Sequence, residues 1–311
     1  MSRRSWSLFA AMCVIWGIPY LLIKVAVAEV APALLVFVRT AGGALLLLPL
    51  VLHRRQLGVV RGRLPAVVAF ATVELIGPWL LLSDAEQHLS SSLTGLLIAT
   101  VPIIGVVAAR VTGDRRPITV LRWVGLLVGF GGVALLGAPA LESGGGWPVT
   151  EVLLTAVGYA TGPIIADRAL RDVPPLTLTA VCLGFTSLVY LPTVPFNLPA
   201  RMPSPGALAA LVGLATVCTA LAFVLFFKLI AEIGPARASV ITYVNPAVAA
   251  ALGAVVLRER LNVMIVAAFG FILVGSVLST RHPRDQPGPE LPAGGHGPVR
   301  SVPARPGAAR R

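Results

Sequence analysis

The sequence predicts an all-α integral membrane protein of about ten transmembrane helices, arranged as two inverted-topology five-helix repeats. Three observations carry that expectation. Of 311 residues, 56% are hydrophobic and only 12% charged, with a mean hydropathy of +0.87; soluble chains are about a quarter charged and need that polar surface to coat a core of this size. The chain also divides, at its charged and Pro/Gly clusters, into ten apolar stretches of roughly the 20 residues a helix needs to cross hydrocarbon. Finally, features late in the first half recur late in the second. Secreted, disordered and nucleic-acid-binding classes fall away together.

The stretches run over 8–27, 32–52, 66–83, 90–110, 118–138, 149–167, 175–194, 206–229, 235–257 and 263–280. None shows the short alternation of a membrane β-barrel, and helices satisfy their backbone groups internally, as hydrocarbon requires. The first stretch imitates a signal peptide, with Arg3 and Arg4 ahead of it and Ala26-Val27-Ala28 at its end. Lys24 within the run, and the length of that run, argue for a retained span. Cys13, Cys182 and Cys218 fall in spans without a C-x-x-C pair, so neither a disulfide framework nor a metal site is indicated.

Ten spans place both termini on one side, and the basic residues say which. Of the 25 Lys and Arg, 19 fall in loops and tail on the N-terminal side, Arg54, Arg55, Arg61 and Arg63 among them. Arg201, Arg258 and Arg260 lie opposite, while Lys24, Arg39 and Arg122 lie within spans. Both termini are therefore expected in the cytoplasm, in a cell (inner) membrane. The net charge of +12 reads as an orientation signal, and no nucleic-acid partner is expected. Over 281–311 the composition turns to Arg, Pro, Gly and Ala, the pattern of a disordered basic tail whose expected contact is anionic lipid.

Two repeats are expected over 8–138 and 149–280, joined by the Gly-rich segment from Leu141 to Pro148. In the first, Ala99-Thr100-Val101-Pro102 precedes the charged turn Gly113-Asp114-Arg115-Arg116 and then Gly125, Gly129 and Gly132. In the second, Tyr243-Val244-Asn245-Pro246 precedes Arg258-Glu259-Arg260 and then Gly270 and Gly275. The prolines stand 144 residues apart and the first glycines 145. An odd number of spans per half makes the second half enter from the opposite face. Such inverted repeats build many secondary transporters, whose halves exchange conformations around a midplane site.

These residues resemble the ten-span drug/metabolite transporter superfamily of EamA type. The likeness rests on the opening run from Trp16 to Lys24, on Pro32 and Arg39 in the second span, and most specifically on residues 221–261, and it covers about 8 to 280. The chain departs from the family at Asp114, where Glu is usual, and in the polar run Ser83-Asp84-Ala85-Glu86-Gln87-His88, read as a turn between the third and fourth spans. The resemblance implies an inner-membrane carrier exporting small metabolites or drugs, commonly in exchange for protons. Members move very different substrates.

Ionisable groups inside spans are functional candidates by default. Glu74, at the middle of the third span, is suited to reversible protonation and so to proton coupling; the alternatives are a structural partner for Arg39 or Lys24, or a helix–helix hydrogen bond. Lys24 can snorkel, whereas Arg39 lies deeper, where pairing or an aqueous cavity is expected. If these charges share a cavity, a zwitterion such as an amino acid finds complementary groups. Trp16, Tyr20 and Lys24, spaced i, i+4 and i+8, are expected on one helix face, lining a pathway or forming an interfacial belt. Tyr159 with Pro163 is a weaker candidate, and Phe223, Phe226 and Phe227 are read as packing. Pro102 and Pro246 each remove a helical hydrogen bond, and Thr100, Tyr243 and Asn245 stand close enough to serve the freed carbonyls or a substrate. The paired glycines are read as close helix packing.

An enzyme would need a constellation at membrane depth. His53, His88, His282 and His296 all fall in loops or tail, and no span carries a Glu-x-x-His or a nucleophile beside a base. No G-x-x-x-x-G-K-[ST] phosphate loop occurs. The expected ligands are a small-molecule substrate, protons and membrane lipid, with no cofactor. A structural or sensory membrane protein is the first alternative, with a membrane-embedded enzyme or a channel behind it, and monomer and homodimer both stay open.

Overall fold

The computed structural model describes residues 2–113, 119–142, 146–234, 238, 240–260 and 262–280. Outside them lie Asp114, Arg115 and Arg116 of the first exit turn, Ser143, Gly144 and Gly145 of the linker, Arg237, and the whole tail over 281–311. The described helices belong to a single unit, Met1–Thr280, and no strand occurs among the described residues. In chain order they are α1 (Arg3–Val27), α2 (Pro32–His53), α3 (Gln56–His88), α4 (Ser91–Val111), α5 (Val120–Glu142), α6 (Gly146–Ala169), α7 (Pro175–Phe196), α8 (Pro205–Ile233), α9 (Ile241–Val256) and α10 (Val263–Thr280). Seven of them, α1 to α4 and α6 to α8, are long and apolar enough to cross a membrane, and shorter apolar stretches lie at Val120–Leu135 in α5, Ile241–Val256 in α9 and Val263–Leu278 in α10.

Local chemistry sets the helix ends. Ser2, Ser90 and Ser204 accept main-chain N–H bonds at the starts of α1, α4 and α8, satisfying donors that the first turn leaves free. Pro32, Pro175 and Pro205 open α2, α7 and α8, where a missing N–H costs nothing. Beyond α8 the chain turns on Gly234, at φ +81°, a conformation that suits glycine.

Several helix bounds differ from the sequence expectation, as at Gln56 and Ile241, and two differences bear on the site. The turn between α3 and α4 is shorter, because residues 83–88 continue the helix and only Leu89 and Ser90 form the link. One face of that run is buried by protein, with Ser83 and Glu86 almost wholly enclosed, while Gln87 and His88 remain exposed. The second difference is in α1, which is broken at Trp16–Ile18 ahead of Pro19. Gly17 N and Ile18 N both bond Val14 O, since Pro19 has no N–H to continue the ladder.

The packing is symmetric between halves. α2 packs on α7, α4 on α9 and α5 on α10, each against its counterpart, while α3 against α6 is mirrored by α8 against α1. Two π-helical segments obey the same relation: Thr72–Ile76 in α3 and Thr216–Leu221 in α8 begin 144 residues apart, the spacing of Pro102 and Pro246. The first widens the helix just before Pro78, and the Tyr190 hydroxyl of α7 donates to Ile76 O at 2.8 Å at its end. Between α5 and α10, Gly129 and Gly275 meet backbone to backbone, and Gly132 abuts Ala268 O. Gly270 does not share this role, since nothing lies within 4 Å of the position its Cβ would take.

Candidate functional site

The polar centre of the bundle forms where α1, α2, α3, α6 and α8 converge. Arg39 projects from α2 and is 7% exposed. Its Nε donates to Thr219 Oγ1 of α8 at 3.0 Å, and its Cζ lies 3.7 Å from the centroid of the Trp79 ring of α3. Thr219 belongs to the π segment of α8. The guanidinium is thus fixed by a hydrogen bond across the two halves and by an aromatic face beneath it. Tyr20, Tyr159 and Glu86 lie within electrostatic reach of it. Among the described residues, no carboxylate is ion-paired with Arg39.

Glu74 lies in the π segment of α3. A Cβ on Gly162 of α6 would collide with its carboxylate, so the glycine is what admits the side chain between α3 and α6. Its Oε2 is enclosed and has no hydrogen-bond partner. Tyr159 and Cys182 lie within its electrostatic reach, but neither Arg39 nor Lys24 is paired with it.

The structure separates the face expected for Trp16, Tyr20 and Lys24. The break before Pro19 turns Trp16 toward Phe223 and Phe226 of α8, with ring centroids 5.9 and 4.5 Å away. Tyr20 instead packs in the central apolar cluster with Leu96 and Ala249. Lys24 Nζ donates to Glu86 O at 2.6 Å and Leu89 O at 2.8 Å, the carbonyls at the C-terminus of α3, where a cation complements the helix dipole.

The proline regions are largely satisfied by side chains. Thr100 Oγ1 donates to Leu97 O at 2.7 Å, and Ser276 Oγ of α10 donates to Ala99 O at 2.9 Å, just before Pro102. In α9, Pro246 is buried inside the helix. The Asn245 amide, oriented with its nitrogen toward the carbonyls, donates to Cys13 O and Ile241 O at 3.1 Å each, tying α9 to α1. Tyr243 hydroxyl reaches Ser276 O at 3.5 Å.

Sequence alone does not single out Trp79, Thr219 or Glu86. The signal for two of them was present, since Trp79 and Glu86 are spaced i, i+7 and share a face of one helix once that helix is run to His88. At the rim, Glu259 accepts Ser91 N and Ser92 N at 2.8 and 2.9 Å, so the charged exit turn caps α4. Glu29 accepts Ser204 N and Oγ at 2.6 Å each, and these bonds hold its carboxyl below the usual range. Arg63 donates to Asp172 at 2.7 Å and lowers that carboxyl in the same way. Among the described residues no group of three His, Cys, Asp or Glu is placed to hold a metal ion, and all three cysteines are free and buried.

Comparison with known proteins bears on this arrangement. The EamA-like transporter family matches the chain twice, over residues 4–138 and 147–281. The uncharacterized inner membrane transporter YedA of Escherichia coli (strain K12) is 28% identical over 273 residues, covering 87% of this chain and 88% of that protein. The uncharacterized transporter YvbV of Bacillus subtilis (strain 168) is 25% identical over 278 residues, covering 87% and 89%. A solved chain described as "Crystal structure of protein" superposes with a TM-score of 0.63 at 23% identity, over 90% of this chain and 98% of its own length; that likeness shows the fold.

Proposed function

The chain belongs to the EamA-like transporter family, and from that premise we propose that it is a secondary active transporter working by alternating access. It exports a small metabolite or drug, an amino acid or related compound foremost, across the inner membrane, with both termini in the cytoplasm. The observation that carries the reading is the bond from Arg39 to Thr219. It joins the two halves at an enclosed polar centre, so exchange of the halves between two arrangements makes and breaks the contacts around a solute. Trp79, Tyr20 and Tyr159 supply aromatic faces beside the cation.

Glu74 is the proton-coupling residue in this reading. Its enclosed, unpartnered oxygen is free to take and release a proton without breaking an ion pair. Proteoliposomes test both parts. The purified protein should support flux of a solute found by comparing the exported metabolites of cells with and without it. Glu74→Gln should abolish the component driven by a pH gradient; undiminished coupling in that variant would remove Glu74 from the mechanism.

A further inference from the structure

Glu86 is a second enclosed carboxyl, and among the described residues no side chain completes it. Its side chain is fully buried, and neither oxygen has a hydrogen-bond partner. Burying such a group unpaired is costly. Three charged neighbours stand within electrostatic reach of it, namely Lys24, Glu259 and Arg39. None of the three supplies a side-chain donor. Lys24 spends its ammonium on the main-chain carbonyls of Glu86 and Leu89. Glu259 is itself an acceptor, engaged by Ser91 N and Ser92 N. Arg39 gives its Nε to Thr219 and lies over the Trp79 ring, and no hydrogen bond from it reaches Glu86.

A guanidinium and a carboxyl group therefore stand in one enclosed neighbourhood without pairing with each other. What completes Glu86 is a compact, positively charged donor arriving from outside the chain. We propose that Glu86 is a specificity-determining residue that receives the protonated amine of the transported solute, so that the substrates of this chain carry an ammonium group. The proposal rests on the transport reading above and deepens it. The ammonium donates to one or both Glu86 oxygens when a face of the bundle opens, while Arg39 and the Trp79 ring meet the remainder of the molecule. A carboxylate elsewhere on the solute would find the Arg39 guanidinium, but the amine is the requirement.

The test profiles the medium of cells producing the full chain, Glu86→Gln or Glu86→Asp, against cells without it. Compounds added to the medium by the wild-type protein should carry a protonatable amine. Glu86→Gln should lower their export about tenfold or more, the scale of a lost hydrogen bond to a charged group, while Glu86→Asp should keep a measurable part. Membrane abundance and thermal stability in detergent report whether each variant folds. A second arm uses the wild-type protein alone and supplies the N-acetyl form of each exported compound, which should stay inside. Wild-type export by Glu86→Gln, or undiminished export of the N-acetyl forms, would overturn the proposal. Should the wild-type protein add nothing to the medium, the transport reading itself fails and takes this one with it.

Discussion

Arg39 lies over the face of Trp79, with its Cζ 3.7 Å from the ring centroid, and the pair joins α2 to α3 at the polar centre. A cation above an aromatic ring gains about 0.5–2 kcal/mol, which corresponds to roughly a 2- to 30-fold change in an equilibrium constant. Trp79→Leu should weaken solute binding within that range, and Trp79→Phe should lose less. Binding isotherms for an exported compound on the purified variants measure the effect.

Thr219 holds the same guanidinium from the second half. Thr219→Val keeps the shape and removes the acceptor for Arg39 Nε, leaving a buried N–H short of a partner at a cost of about 1–3 kcal/mol. Transport by Thr219→Val should fall while Thr219→Ser stays close to wild type. Initial rates of export in matched cells decide it.

Glu259 caps α4 through Ser91 N and Ser92 N. Glu259→Ala should lower stability by about 1–2 kcal/mol, as for a lost cap, and Glu259→Gln by less, because one acceptor oxygen remains. Thermal unfolding in detergent gives the ranking, and a larger loss in the Gln variant would contradict it.

Glu29 is held below the usual carboxylate range by Ser204 N and Oγ. A carboxyl lowered on folding contributes stability that is present above its unfolded value of about 4.3. That contribution is lost as pH falls through the folded value. Unfolding temperatures measured downward from pH 6 should therefore drop more steeply for the wild type than for Glu29→Gln, and the two curves should meet at the acid end.

Glycine substitutions should divide sharply. Gly275→Ala drives a methyl into the backbone of Gly129 and should destabilise by about 1–3 kcal/mol. Gly270→Ala meets nothing and should be neutral or gain up to about 1 kcal/mol from helix propensity. Gly162→Ala collides with the Glu74 carboxylate and should impair pH-gradient-driven flux along with stability.

The membrane helices and their pairing into halves were legible because hydropathy and the recurring Pro and Gly positions report directly on burial in lipid and on symmetry. Residue-level faces were less so. Trp16 and Tyr20 fit an i, i+4 pattern only in an unbroken helix, and Pro19 between them ends that helix locally. Glu86 reads as part of a turn because polar runs ordinarily mark water, whereas here one face of the last turns of α3, with Ser83 and Glu86, is enclosed by protein. Thr219 could not be found by period at all, since its direction depends on a π segment that adds a residue to the turn and leaves no trace in composition.

The widened turn at Thr72–Ile76 makes α3 unequal in its response to shortening. Removing one residue other than Glu74 within that segment returns it to an ordinary turn and leaves Trp79 and Glu86 aimed as before. Removing one between it and Glu86 rotates every later side chain by about 100°, carrying Glu86 away from the guanidinium of Arg39. A scan of single-residue deletions along α3 should thus show one tolerant window, set where the helix already holds a residue to spare.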